Sequence, residues 1–155
     1  MYKLKWSCKY IVYPILLWLL SACSQQHAGL MKALHLLDTD LLSTGYYVII
    51  PNQGCEGCIS AAEDFVKRHC TSSPHVKYIF TRTQSLKLLQ IKLGRDILHS
   101  SRVLVDSANI IRYPDRDKDI YPMIVTVKDG RITDIAYQRP EEDGLGVVLR
   151  GESNN

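Results

Sequence analysis

The chain lacks the marks of several large function classes. It has no basic stripe, and its formal charge of +3 largely disappears if Lys3, Lys5 and Lys9 leave with a leader. Nucleic-acid binding therefore has no electrostatic footprint here. There are no internal repeats and no low-complexity tracts, so a repeat array is not expected. The apolar stretch Ile11 to Leu20 is too short for a comfortable membrane span of about 20 residues. Five cysteines in 155 residues do not make a disulfide scaffold, because a chain of this size can build its core without staples. The histidines, His27, His35, His69, His75 and His99, are scattered and read as surface or satisfied core residues.

What is present starts with a leader. Lys3, Lys5 and Lys9 form a basic flank, Ile11 to Leu20 an apolar segment, and Leu20-Ser21-Ala22-Cys23 a stretch of small residues before a cysteine. This resembles the lipobox of bacterial lipoproteins. A plain signal peptide and an N-terminal anchor helix are the alternatives. The resemblance implies that residues 1–22 are a lipoprotein signal peptide and that Cys23 is lipidated after cleavage. Residues 23–29 would then be a lipidated tether to the membrane. It also implies a lipid-anchored place in the bacterial cell envelope. Ser24 lacks the acidic retention signal known in some bacteria, which favours a periplasm-facing outer membrane. About 133 residues would remain, enough for one real core.

The most informative motif is Gly54-Cys55-Glu56-Gly57-Cys58. It follows an apolar strand-like run, Tyr46 to Ile50, and opens an amphipathic helix-like run, Ile59 to His69. A Cys-x-x-Cys pair at such a junction suits thiol–disulfide chemistry. The helix start favours the thiolate of the first cysteine, and the second lies within closing distance. Cys8 falls in the leader. With Cys23 lipidated, Cys55, Cys58 and Cys70 remain, most simply one pair and one spare.

Elsewhere, Leu30, Ala33, Leu34, Leu37, Leu41 and Leu42 predict an amphipathic helix ending near Gly45. Glu63 with Lys67, and Asp64 with Arg68, are expected as charge pairs on the outer surface of the helix after Cys58. Val76 to Phe80 predicts a strand, Ser85 a cap for a helix from Leu86 to Leu93, and Arg102 to Val105 a short strand. Tyr113 to Asp119 reads as a charged loop whose closeness to Pro122 could let it touch substrates. Pro122 to Val127 and Arg131 to Tyr137 flank a hairpin signal at Lys128-Asp129-Gly130. Residues 139–155 read as a polar C-terminal tail with no helix. The expected class is α/β, a sandwich on a central mixed sheet with parallel N-terminal units and a C-terminal antiparallel hairpin over residues 30–138.

From Gly45 to Tyr137 the chain resembles the thioredoxin superfamily, in particular its membrane-tethered extracytoplasmic bacterial members. Two segments carry the resemblance: the strand, loop, Cys55-Glu56-Gly57-Cys58 and helix, and Tyr121-Pro122-Met123-Ile124-Val125-Thr126-Val127-Lys128-Asp129-Gly130-Arg131-Ile132. It implies a thioredoxin-like fold and a redox-active center. Cys55 would be the nucleophile and Cys58 the resolving thiol. Pro122 would be cis, and Tyr121 would offer backbone groups to a bound substrate strand. It implies no cofactor and no metal. Gly54 stands where many members have Trp, no carboxylate lies in Val48-Ile49-Ile50, and the last helix is missing. Each departs from the family pattern.

The implied activity is that of a thiol–disulfide oxidoreductase. Its partners would be cysteine-containing envelope proteins and an unidentified thiol–disulfide donor. Glu56 opposes the helix dipole at Cys55, so only modest acidification is expected, with reductase-like or isomerase-like poise. The alternative is a non-catalytic protein-binding module with a structural disulfide. A zinc site built from Cys55, Cys58, Cys70 and His75 is not expected. The intervening helix would hold Cys70 about 18 Å from the pair. Cys70 reads instead as a half-buried apolar residue. Asn52 stands where a peroxide-reducing site would need Thr.

Overall fold

The computed structural model of the protein describes residues 27–153. The expected signal peptide and lipidated Cys23 lie outside the described residues. The first helix, α1 (Ala28–Leu37), begins inside the stretch expected as tether. Six strands follow: β1 (Gly45–Pro51), β2 (Val76–Thr81), β3 (Val103–Asp106), β4 (Met123–Lys128), β5 (Arg131–Arg139) and β6 (Glu142–Asp143). Helices α2 (Glu56–His69), α3 (Leu86–Leu93), α4 (Arg95–Leu98) and α5 (Leu145–Glu152) lie between and after them. Among the described residues, no helix is long and apolar enough to cross a membrane.

The strands form one mixed sheet in the order β3-β2-β1-β4-β5-β6. β1 and β2 pair in parallel, as do β2 and β3, while β4 is antiparallel to β1 and β5 to β4. Central strands covered on both faces must be apolar throughout, and Tyr47 to Ile50 are all at most 1% exposed. Side chains alternate between the faces. Val48, Ile50, Val76, Tyr78, Phe80 and Ile124 meet the apolar sides of α2, α3 and α5. Tyr47, Ile49, Ile79, Met123 and Val125 meet α1 and the Ile111–Tyr113 segment. The result is a mixed α/β sandwich with helices on both faces.

Several expectations need correction. The α1 helix stops at Leu37 because Asp38 turns extended (φ −118°, ψ 107°). Its carboxylate accepts hydrogen bonds from Lys77 Nζ at 2.8 Å and from the Tyr47 hydroxyl at 2.6 Å. Lys77 is the second residue of the fully buried β2, and a cation there needs such a partner. Glu63 faces inward toward α3 and pairs with Lys92, while Lys67 pairs with Asp64. The stretch expected as a polar tail forms β6 and α5. Leu145 and Val148 enter the core, so the domain continues to Glu152. Periodicity missed this helix because only a short segment carries its apolar face, interrupted by Gly146 and Gly151.

Other expectations hold locally. Ser85 Oγ accepts from the Leu88 amide and caps α3. Asp129 and Gly130 both have positive φ, 51° and 69°, the conformation of a tight hairpin turn.

Candidate functional site

The carboxyl ends of the parallel strands form one rim of the sheet, where α/β proteins commonly place their sites. The chain leaves β1 at Pro51, and the Asn52 amide donates to the Thr81 carbonyl at the neighbouring end of β2, 3.0 Å away. It then turns through Gly54 into α2. Cys55 is the N-cap residue: its backbone is extended (φ −68°, ψ 97°), and its carbonyl accepts the Ile59 amide at 2.9 Å. One turn into the helix, Cys58 is bonded to Cys55 as a disulfide with the Cα atoms 5.3 Å apart, inside the usual range of about 4.4–6.8 Å. Cys55 is half-buried, whereas Cys58 is only 6% exposed. Cys55 is thus the more exposed partner of the pair.

Ile120, the residue just before the second sequence segment, reaches this place. The Cys55 amide donates to the Ile120 carbonyl at 3.0 Å. Gly54 has φ +146°, and a Cβ there would collide with the Ile120 backbone. No other residue type permits such close contact. This accounts for glycine at position 54.

The details of the segment differ from the resemblance. Among the described residues there is no cis peptide bond, so the Tyr121–Pro122 bond is trans. Tyr121 is not free to offer its main chain. Its amide donates to the Lys118 carbonyl at 3.1 Å, and its carbonyl accepts the Tyr113 hydroxyl at 3.0 Å. Pro122 is buried, and its carbonyl accepts the Gln138 amide at 2.9 Å.

Residues not singled out from the sequence hold this loop. Arg82, at the end of β2 with φ 57°, directs its guanidinium to the Asp119 carbonyl at 3.1 Å and the Asp119 carboxylate at 2.9 Å. It also lies 5.6 Å from the centre of the Tyr113 ring. Burial pushes the ionisation of Tyr113 well above the ordinary phenol range, and Arg82 opposes this. The hydroxyl thus keeps the proton it donates to Tyr121. Asp106, fully buried at the end of β3, accepts the Thr81 hydroxyl at 3.0 Å and the amides of Ile110 and Ile111 at 2.9 Å each. It fixes the segment that leads to Tyr113. The only sequence signal for these roles was position: each lies at or just beyond a strand end or in the charged loop before Pro122.

Cys70 lies at the opposite end of α2, buried at 1% exposure. The helix has 14 residues, about 21 Å at 1.5 Å per residue, so this thiol and the disulfide belong to different regions. Glu56, exposed in the first turn of α2, favours the helix through its dipole. The arrangement provides a reducible bond at the mouth of a helix, with one sulfur reachable and the other backed by the core. No protein-family model matches the chain, and no curated protein matches it.

Proposed function

We propose that the protein is a thioredoxin-like, lipid-anchored thiol–disulfide oxidoreductase of the bacterial cell envelope. Cys55 and Cys58 would exchange disulfides with cysteine-containing envelope proteins. In the reduced protein the Cys55 thiolate attacks a substrate disulfide. A Cys55–substrate bond forms, the substrate S–S bond breaks, and the released thiolate takes up a proton. The Cys58 thiolate then attacks the Cys55 sulfur and expels the second substrate thiol. Two electrons pass to the substrate, and Cys55–Cys58 becomes the disulfide. A thiol donor reverses that last state; run backwards, the same steps oxidise a dithiol.

The observation that carries the proposal is the asymmetry of the pair: Cys55 half-buried at the N-cap of α2, Cys58 buried one turn in. Support comes also from the parallel β1-α2-β2 unit and the antiparallel β4–β5 hairpin, and from the Ile120 carbonyl that receives the Cys55 amide two residues before Pro122. Cys23, as the lipid site, would hold the domain at a membrane, with an outer-membrane, periplasm-facing place as the proposed location. The poise proposed is reductase-like or isomerase-like, because Glu56 offsets part of the dipole at Cys55.

A second reading is a binding module with a static disulfide. It is favoured by the full occupancy of the Tyr121 backbone, which leaves the expected strand-docking edge closed. A Cys58→Ser variant separates the two. Exchange predicts mixed disulfides accumulating on Cys55 in cells, lost again in Cys55→Ser/Cys58→Ser. No adducts, together with no activity on a test disulfide, would leave the module reading.

A further inference from the structure

We infer that the exchange partner is read through an apolar side chain beside its reactive cysteine, with Ile120 as the specificity-determining contact and without main-chain pairing to the 119–122 segment. This inference rests on the exchange reading. Strand addition needs a row of free carbonyls and amides on the receiving edge. Here four successive carbonyls are already engaged: Asp119 by Arg82, Ile120 by the Cys55 amide, Tyr121 by the Tyr113 hydroxyl and Pro122 by the Gln138 amide. The Asp119 amide donates to Arg116, the Tyr121 amide to Lys118, and Pro122 has none. The main chain beside the disulfide thus has little left to give.

One side chain there is positioned to make up the loss. Ile120 is 42% exposed, although its own carbonyl is bonded to the Cys55 amide. A large aliphatic group is thus held in solvent on the residue whose carbonyl receives the Cys55 amide. Gly54 and Gly57 present no side chains on the disulfide's flanks, and Gly57 has open space about it. A partner segment can therefore approach the sulfur and cover Ile120 in the same encounter. An apolar neighbour of the partner's cysteine would gain from that burial, and a polar one would not.

The test uses the reduced full-length protein and short peptides, each with one cysteine carried as a mixed disulfide with a chromogenic aryl thiol. One peptide has Leu beside the cysteine, one has Ser, and one has Leu with both flanking amides N-methylated. The expected result is a preference for Leu over Ser of about fivefold in second-order rate. Ile120→Ser should reduce that preference to within about twofold, and Ile120→Leu should keep it. N-methylation should leave the rate within about twofold, since no strand pairing is used. A tenfold loss on N-methylation, or an undiminished preference in Ile120→Ser, overturns the inference. Uniformly fast rates for all peptides sink the specificity and leave exchange standing. Rates no better than those of glutathione sink the exchange reading itself.

Discussion

Gly54→Ala is the substitution on which the site geometry stakes most. Two separate costs meet at this position. A backbone φ of +146° belongs to a region that is essentially glycine's alone, and holding another residue there costs on the order of 1–3 kcal/mol. The new methyl would also strike the Ile120 backbone. Relief requires the Asp119–Pro122 loop to move away and the Cys55–Ile120 hydrogen bond to break, another roughly 1 kcal/mol. Together the loss is about 2–4 kcal/mol. For a domain of this size that lowers a urea midpoint by roughly 1–2 M. The control lies three residues away. Gly57 has no neighbour within 4 Å of an added Cβ and sits in the first turn of α2. Gly57→Ala should therefore be neutral or stabilising by up to about 1 kcal/mol. Urea titration of both oxidised variants decides the matter. If Gly54→Ala costs no more than Gly57→Ala, the contact between the disulfide turn and the Ile120 segment is not what holds this rim together.

Three further outcomes are expected. Lys77→Met should cost about 3–5 kcal/mol in urea titration, because it strands the buried Asp38 carboxylate, and Lys77→Met/Asp38→Asn should recover much of it. Arg82→Gln should cost under about 1 kcal/mol of stability, as its pair with Asp119 is more than a third exposed. It should nevertheless lower the hydrogen-exchange protection of the Cys55 amide, since Asp119 anchors the loop whose Ile120 carbonyl receives it; unchanged protection would refute the clamp. Burial holds the phenols of Tyr47, Tyr78 and Tyr113 protonated well above their ordinary range. Their folded-state values are raised, so their contribution is intact below about pH 10 and is lost above it. The unfolded chain releases those protons first, at about 1.4 kcal/mol per pH unit for each tyrosine. Denaturant titrations from neutral pH to about 11 should show that decline, and a flat profile above pH 10 would contradict it.

The sheet was legible because its central strands are nearly unbroken apolar runs and because Asp129-Gly130 can hardly be anything but a tight turn. The junction at Cys55 was legible for a similar reason: a strand pattern stops and a helix pattern starts around it. Lys77 carried a signal that went unused. A cation inside a run such as Val76-Lys77-Tyr78 requires a buried anion, and Asp38 supplies it while ending α1. The clamp on the Asp119–Pro122 loop was not legible, since Arg82 and Tyr113 lie 31 residues apart in number and meet only through the fold. The closed main chain of Tyr121 was invisible for the same reason. Local sequence shows that a carbonyl exists but not which distant hydroxyl will reach it.

Helix α5 bears on how the molecule comes into being. Leu145 and Val148 close the same apolar layer that Val48 and Ile50 begin, so the cover that α2 and α3 give the opening strand on that side is completed only after all six strands. A chain still being synthesised short of Gly144 lacks that last piece of cover. A stop codon before Gly144 should accordingly yield an aggregating product, and any tag placed after Glu152 must leave that final turn free to dock.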